Sequence, residues 1–384
     1  METKSTMSGR TSLLCRILFL ALTALMLVFF RGIPAEAASN TQNAETSVHA
    51  APTAADAADA TDATASVQAA TQTATFYQKL QKGKSVRIAV LGDSIACSTG
   101  VEEKDCWNTL LKNWLKKEYK SRVRMDNYAI GGTSSYTGYY HCHTAMAKEV
   151  QKNGAYDLVI VCYGQNDAAE HFALIYEGLL RQIKISNPGA CLITFLESSQ
   201  EIYTDKMLQI IYLSYLYGAD IADTISAAAL TGKSFEEFHP DGIHPGTEGH
   251  QVYFETLQKL VQQGIEIGRT PAQLPAPLSE NTALLDDYGF LPLESCRQPD
   301  GSFQLVTTQP TLGVVCCNSP QSSSIHLDFS NGAVWDFNAA TIIPLKWTSA
   351  ELAKIFLAPG TVVTLADPEG NISDTVIGFI VSGH

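Results

Sequence analysis

The sequence predicts an α/β fold, with a parallel sheet covered by helices on both faces, followed by a small, mostly-β module. The first observation is that strand-like apolar segments alternate with helix-like segments from residue 76 to residue 264. The second is that short β-type runs replace this alternation after about residue 268. The 384 residues, 45% of them hydrophobic, suffice for a large core. We therefore divide the chain into an α/β part at 76–266 and a β-rich part at 267–384.

Five apolar runs in the α/β part are typical of buried strands. They span residues 85–92, 123–130, 156–164, 190–198 and 219–224. Segments with helical spacing of apolar residues lie at 106–119, 145–152, 168–185, 206–217 and 246–261. Because strands joined by helices of this length pair in parallel, we expect one parallel sheet with helices on both faces.

The β-rich part follows a proline-rich linker, RTPAQLPAPL. Its strands are predicted by the runs SFQLVTTQ, TLGVVCC, SIHLDFS, AVWDF, TVVTLAD and TVIGFIVS. Turns that contain glycine, asparagine or aspartate separate them, as in ADPEGNISD. This part of the sequence carries no catalytic pattern, and we interpret residues 267–384 as an accessory module.

The N-terminus is typical of a secretory signal peptide. Basic residues precede the apolar run 17–30, and the small-residue pattern Ala35-x-Ala37 follows it. The run is shorter than the roughly 20 residues that a membrane span needs. We therefore predict a signal peptide at residues 1–37, with an uncleaved N-terminal anchor as the alternative.

Residues 38–75 are rich in alanine and threonine and nearly free of large apolar side chains. Such a segment buries too little surface to offset the entropy of ordering, which predicts a disordered linker. Behind a signal peptide, this linker indicates a protein outside the cytoplasm, secreted or associated with the surface of a bacterial cell.

The charge of the chain limits its partners. The formal net charge is −13 and the sequence pI is about 5.1. Proteins that bind nucleic acids concentrate lysine and arginine, so we predict no nucleic-acid partner. The same balance disfavours docking on an anionic membrane, so membrane contact is expected only through the N-terminal anchor, if that is retained.

Polar residues follow the predicted strands at the points where the strands end. Ser94 follows the first strand in LGDS, Gly132 the second in AIGG, and Asn166 the third in YGQND. Asp241 and His244 precede the last helix in HPDGIHPG. Because chemistry in such sheets gathers at the carboxyl ends of the strands, we expect these residues to form one site there.

These residue types suit acyl transfer. A serine hydroxyl is a weak nucleophile until a neighbouring base takes its proton. A histidine supplies that base, and a carboxylate fixes its tautomer; Asp241 and His244 are close enough in sequence to pair. The developing oxyanion needs preorganised donors, for which the backbone N–H groups of Ser94 and Gly132 and the amide of Asn166 are candidates.

The same residues stand in four blocks that resemble those of the SGNH/GDSL hydrolases. The family has a GDS serine, a glycine in an N-x-x-x-x-G turn, an asparagine in GxND and a DxxH pair. Here the blocks are Gly92-Asp93-Ser94, Asn127 to Gly132, Gly164-Gln165-Asn166-Asp167 and Asp241-Gly242-Ile243-His244, in the family's order. The resemblance covers roughly residues 84–261. It implies a flavodoxin-like three-layer α/β/α fold and ester hydrolysis without a metal.

The resemblance also implies a role for each residue. Ser94 is the expected nucleophile, His244 the base and Asp241 its partner. The expected oxyanion hole consists of Ser94, Gly132 and Asn166.

The second block departs from the family pattern at one position. Ala129 stands where many members have glycine. This departure leaves open whether Gly131 or Gly132 faces the oxyanion, and Gly132 is our prediction.

Further histidines raise the alternative of a metal site. His239, His244 and His250 lie near Asp241, and an HCH motif occupies 141–143. Neither group has a recognised ligand spacing, so we interpret the additional histidines as surface polar residues near the cleft. We predict no metal and no cofactor.

The predicted function is that of an exported serine esterase acting on short-chain esters, such as acetyl esters, on cell-surface carbohydrate. Its expected partner is a small ester or an acylated glycan. Three alternatives stay open: an O-acyltransferase on glycans with the same triad, a lipid hydrolase of the lysophospholipase or thioesterase type, and a glycan-binding surface protein. The sequence does not discriminate between hydrolysis and transfer, and it contains no indication of the oligomeric state.

Overall fold

Five strands form a parallel sheet in the computed structural model, which describes residues 74–97, 99–199, 202–368 and 370–383. They are β1 (Val86–Gly92), β2 (Val123–Asn127), β3 (Leu158–Cys162), β4 (Cys191–Leu196) and β5 (Asp220–Asp223). Their order is β2-β1-β3-β4-β5, and every neighbouring pair is parallel. This is the flavodoxin-like strand order, so the predicted fold class is confirmed.

Helices cover both faces of this sheet. They are α1 (Phe76–Gln81), α2 (Trp107–Tyr119), α3 (Ser135–His143), α4 (Ala145–Asn153), α5 (Phe172–Ser186), α6 (Asp205–Tyr217), α7 (Thr224–Ala229), α8 (Phe235–Phe238), α9 (Thr247–Glu266) and α10 (Glu280–Ala283). Side chains alternate across a strand, so Ile88 and Val90 of β1 join a core with α1, α2 and α9. Ala89 and Leu91 join a second core with α4, α5 and α6 on the other face.

Two antiparallel sheets follow α10. Their strands are β6 (Gly289–Pro292), β7 (Phe303–Thr307), β8 (Thr311–Asn318), β9 (Ser324–Phe329), β10 (Val334–Asn338), β11 (Trp347–Lys354), β12 (Thr361–Leu365) and β13 (Val376–Ser382). One sheet has the order β10-β9-β12-β7 and the other β11-β8-β13-β6. Apolar side chains of both sheets, such as Val314 and Leu327, share one core, so the two sheets form a sandwich.

The sandwich packs on α3, and the described residues all belong to one compact unit of the chain. The ring of Tyr136 lies so close to Gly313 that a Cβ there would be 2.4 Å from the tyrosine hydroxyl oxygen. The Thr137 hydroxyl donates to the carbonyl of Ala350 and accepts from its N–H, both at 3.1 Å. The hydroxyl of Tyr139 donates to a carbonyl of the segment before β6, 2.9 Å away. Through α3, the β strands therefore contact the helix that follows the Gly132 turn.

Seven α-helices and β-strands of the described residues are absent from the sequence predictions: α1, α3, α7, α8, α10, β6 and β11. Helix α3, SYTGYYHCH, is buried on nearly every side, so its sequence has no amphipathic period. Strand β11, WTSAELAK, is composed largely of good helix formers and is extended because it pairs with β8. Strand β6 has only four residues and is held by pairing with β13.

The N-terminal predictions fall outside this description. The predicted signal peptide at 1–37 and all but the last two residues of the predicted linker at 38–75 lie outside the described residues. Among the helices of the described part, none combines the length and apolar character needed to cross a membrane.

Candidate active site

Ser94 lies in a tight turn directly after β1. A side chain at Gly92 would collide with its surroundings, because a Cβ there would be 2.7 Å from the Cβ of Ala96 and 2.8 Å from the carbonyl oxygen of Cys162. Ser94 itself is 8% exposed. The close packing of the turn therefore fixes the backbone that carries the serine.

The side chain of Asn166 joins three of the four sequence blocks. Its Nδ2 donates to Oδ2 of Asp93 at 3.2 Å and to the carbonyl of Thr133 at 3.1 Å. The other oxygen of Asp93 accepts from the N–H of Ile95 at 3.0 Å. The serine turn, the glycine turn and the loop after β3 are thus held together by one amide and one carboxylate.

Asp167 attaches the same loop to helix α3. Its Oδ1 accepts from the backbone N–H of Ser135 at 2.9 Å and from the Ser135 hydroxyl. Burial raises the pKa of Asp167, and the hydrogen bonds from Ser135 oppose that rise. A carboxylate at the start of a helix is also favoured by the helix dipole.

The glycine turn lies against Ser94. A Cβ on Gly131 would be 3.6 Å from the Cβ of Ser94, an ordinary contact distance. Gly132 has φ +76°, which is the left-handed region that favours glycine, and a Cβ there would meet nothing within 4 Å. Of the two glycines that the sequence leaves open, Gly131 packs on the serine and Gly132 makes the turn; the assignment of the oxyanion donor to Gly132 stays a prediction.

Asp241 and His244 form a hydrogen-bonded pair. Oδ2 of Asp241 lies 2.7 Å from Nδ1 of His244, and Oδ1 accepts from the N–H groups of Ile243 at 2.9 Å and His244 at 2.7 Å. These hydrogen bonds, that with the His244 ring first, lower the pKa of Asp241 to about 2. The carboxylate is therefore ionised and orients the ring with Nδ1 toward itself.

His244 adjoins the loop that begins at Ser94. A Cβ on Gly100 would be 3.5 Å from the Cβ of His244. In the part of the chain that the structure describes, the Ser94 hydroxyl and the His244 ring are not hydrogen-bonded to each other. The structure thus brings Ser94, Gly131 and Asn166 together and places the Asp241–His244 pair beside the same loop, without joining serine to histidine.

Glu197 is a buried acid at this edge that the sequence analysis missed. It follows β4, and its Oε1 accepts from the thiol of Cys162 at 3.1 Å. Burial raises the pKa of Glu197 to about 7, and burial together with the nearby Glu197 raises the pKa of Asp93. Its position directly after an apolar strand, like that of Asp93, is the sequence signal that could have identified it.

The interpretation of the additional histidines as surface residues is wrong. His239, His250 and His141 are all buried. Nε2 of His239 lies 3.1 Å from the hydroxyl of Ser198, and Nδ1 of His250 accepts from the N–H of Trp107 at 3.4 Å. Burial lowers the pKa of His141 and of His250 to about 4. In the described residues, no group of three or more histidines, cysteines and acids is placed to hold a metal ion.

Comparison with known proteins identifies a family and similar folds. Residues 90–252 match the sequence model of the GDSL-like Lipase/Acylhydrolase family. No curated protein sequence matches the chain significantly. The crystal structure of a two-domain esterase (CEX) active on acetylated mannans, co-crystallized with mannopentaose, is similar with a TM-score of 0.62 and 17% identity over 80% of this chain and 94% of that one. Another crystal structure of a two-domain esterase (CEX) active on acetylated mannans is similar with a TM-score of 0.59 and 18% identity, over 80% of this chain and 93% of that one.

At these identities the two crystal structures establish a common fold over 80% of this chain. Fold and family match define a carboxylic ester hydrolase. The family that matches residues 90–252 is the one that the resemblance in the four blocks predicts.

Proposed function

We propose that this protein is an exported serine esterase that removes short acyl groups, such as acetyl, from carbohydrate. The observation that carries the proposal is the 2.7 Å hydrogen bond between Asp241 and His244, beside the loop that begins at Ser94. A carboxylate paired with a histidine, close to a serine, supplies the orienting group, the base and the nucleophile of acyl transfer once the serine hydroxyl meets the ring.

Hydrolysis then proceeds in two steps. Asp241 holds the proton of His244 on Nδ1, so Nε2 accepts the Ser94 proton as Oγ attacks the ester carbonyl. The tetrahedral intermediate expels the alcohol, which takes the proton from Nε2, and leaves an acyl-serine. Water attacks the acyl-serine with His244 again as base, which releases the acid and restores the hydroxyl.

Three donors are assigned to the oxyanion. They are the backbone N–H groups of Ser94 and Gly132 and Nδ2 of Asn166. The hydrogen bonds of Asn166 to Asp93 and Thr133 hold its amide between the serine turn and the glycine turn. These bonds use both N–H donors of Nδ2, so donation to the oxyanion requires that one of them exchange its partner for the oxyanion. Loss of one such donor typically lowers kcat about a hundredfold to a thousandfold.

The carbohydrate part of the proposal has separate support. A two-domain esterase active on acetylated mannans has the same fold over most of its length. In the present chain the β-rich part packs on α3, whose first residue, Ser135, is hydrogen-bonded to Asp167 in the loop after β3. We propose a hydrolase domain at 76–266 and an accessory module at 267–384 that contacts an acetylated glycan, with the signal peptide delivering both outside the cytoplasm.

The test is hydrolysis of p-nitrophenyl acetate together with labelling by a fluorophosphonate. Ser94→Ala and His244→Ala are expected to abolish turnover, and Ser94→Ala to abolish labelling, since each removes a reacting group. Ser186→Ala, at the opposite edge of the sheet, is the matched control and should retain both. Full activity of Ser94→Ala would refute the mechanism. Acetate release from acetylated glycans, lipids and thioesters, with and without an acceptor glycan, then tests the substrate class and separates hydrolysis from transfer.

A further inference from the structure

We propose that Lys206 is a positioning residue for the oxyanion hole, because its ammonium group holds the loop that carries Asn166. The inference rests on the proposed function, in which Asn166 donates to the oxyanion. Lys206 is the second residue of α6 and is separated from the loop by 39 residues or more in sequence.

One ammonium group contacts three carbonyls of this loop. Nζ of Lys206 donates to the carbonyl of Gly164, to that of Gln165 at 3.4 Å and to that of Asp167 at 2.7 Å. An ammonium has three donors, so its hydrogen-bonding capacity is taken up by these contacts. The carbonyls lie on both sides of Asn166 in sequence, so the lysine fixes the backbone before and after the catalytic amide.

The positive charge of Lys206 interacts favourably with the carbonyl dipoles and with the buried acids around the loop. Three carbonyl dipoles converge on one point, and Gly164 adopts φ +144° there. Burial raises the pKa of Glu197 and of Asp167, and the charge of Lys206 opposes both rises. In the described residues no carboxylate is within ion-pairing distance of Nζ, so the lysine acts on the backbone carbonyls directly.

Packing alone does not fix the loop, because a cavity of about 210 Å³ borders it. The cavity is lined by Gly164, Gln165, Glu197, Lys206 and Met207, among others. A loop beside an empty space has room to move when its central hydrogen bonds are removed. Loss of the ammonium is therefore expected to displace Asn166, and a displacement of about 1 Å in a catalytic group can lower the rate about a hundredfold.

The first experiment is Lys206→Met, which keeps the length of the side chain and removes the donors. We expect kcat on p-nitrophenyl acetate to fall about tenfold to a hundredfold with KM changed less than about twofold, because the oxyanion forms only along the reaction path. The matched control is Lys184→Met. Lys184 is buried and its Nζ also contacts two carbonyls, of Pro188 at 3.4 Å and Ala190 at 3.3 Å, but at the amino edge of the sheet. The Lys184→Met variant should have a lower Tm and an unchanged kcat.

A double variant tests whether Lys206 acts through Asn166. In the Asn166→Ala background, Lys206→Met should lower kcat no further, because the donor that it positions is gone. A further drop as large as in the wild-type background would overturn the proposal, and so would an unchanged kcat in Lys206→Met alone. An active Ser94→Ala variant would contradict the proposed function itself. If Ser94→Ala and Asn166→Ala lose activity but Lys206→Met keeps it, the proposed function stands and only the role of Lys206 is contradicted.

A second variant keeps the test decisive if Lys206→Met does not fold. Lys206→Ala enlarges the adjoining cavity, which ethylammonium can enter with its donors toward the three carbonyls. We expect added ethylammonium to raise kcat of Lys206→Ala severalfold, and ethanol at equal concentration to have no effect. Equal responses to the two compounds, or no response to ethylammonium, would count against a positioning cation.

Discussion

The two edges of the parallel sheet differ in how they hold buried carboxylates. At the amino edge, Asp157 pairs with Lys79 at 2.6 Å, and Asp220 pairs with Arg269. At the carboxyl edge lie three buried acids, Asp93, Asp167 and Glu197. Among the residues that the structure describes, none of these three forms an ion pair, and their pKa values are raised by burial.

The difference separates acids that stabilise the fold from acids that position the candidate site. An ion pair offsets the desolvation of each partly buried acid at the amino edge. At the carboxyl edge, hydrogen bonds and the charge of Lys206 oppose the effect of burial on Asp167 and Glu197 without an ion pair among the described residues. The acids at the carboxyl edge are bonded instead to groups around the serine: Asp93 to Asn166, and Asp167 to the start of α3. Burial also raises the pKa of Asp220 at the amino edge, where the charge of Arg269 opposes the rise, so the two edges differ in the partners of their acids.

The largest expected effect comes from breaking the contact between Asp93 and Asn166. In Asp93→Asn an amide NH2 group replaces one of the two carboxylate oxygens. The side chain can therefore no longer accept hydrogen bonds from both Ile95 and Asn166. We expect kcat on p-nitrophenyl acetate to fall about a hundredfold, as when an oxyanion donor is misplaced. Asp157→Asn at the amino edge is the matched control and should lower Tm with kcat unchanged. Equal kcat losses in the two variants would contradict the distinction between the edges.

The next effect is on the pH dependence of stability. Burial raises the pKa of Glu197 from 4.5 to about 7, so between these values the folded protein binds more protons than the unfolded chain. Stability contributed by this group is therefore present below pH 4.5 and is lost as the pH rises toward about 7. We expect the Tm of Glu197→Gln, relative to the wild type, to increase by a few degrees across this window.

Thermal melts of both proteins from pH 4.5 to pH 8 check this expectation. Repeating them at about 1 M salt screens exposed pairs and leaves a buried group nearly unaffected. Parallel wild-type and variant curves would show that Glu197 does not titrate in this range.

Much of the fold was predictable because it depends on local patterns. The five strands of the parallel sheet are continuous apolar runs, and their observed bounds differ from the predicted ones by a few residues. Strand order and the three layers followed from the family resemblance. Elements whose conformation depends on distant partners were missed: α3 has no amphipathic period, and β11 is extended only because β8 lies beside it.

The residues of the candidate site likewise fall into those that motifs identify and those that the sequence analysis missed. Ser94, Asn166, Asp241 and His244 stand in motifs. The structure pairs Asn166 with Asp93 and His244 with Asp241, while the catalytic roles of the four residues stay predictions. Glu197 and Lys206 are in no motif, because their roles arise from burial and from three carbonyls that meet only in the folded chain. The additional histidines were wrongly interpreted as surface residues, since sequence spacing does not report which histidines a fold encloses.

The smallest effect is expected from the amino edge itself. Lys79→Met removes the partner of Asp157, in a pair whose side chains are 27% and 13% exposed. Oδ2 of Asp157 keeps its hydrogen bond from the N–H of Arg87 at 2.9 Å, so the carboxylate is not left without a donor. We expect a loss of about 1 kcal/mol or less in the free energy of unfolding, with kcat and KM unchanged. Urea denaturation measures the free energy of unfolding, and steady-state kinetics on the same preparation measure kcat and KM. A fall in kcat comparable to that of Asp93→Asn would mean that the two edges are coupled rather than independent.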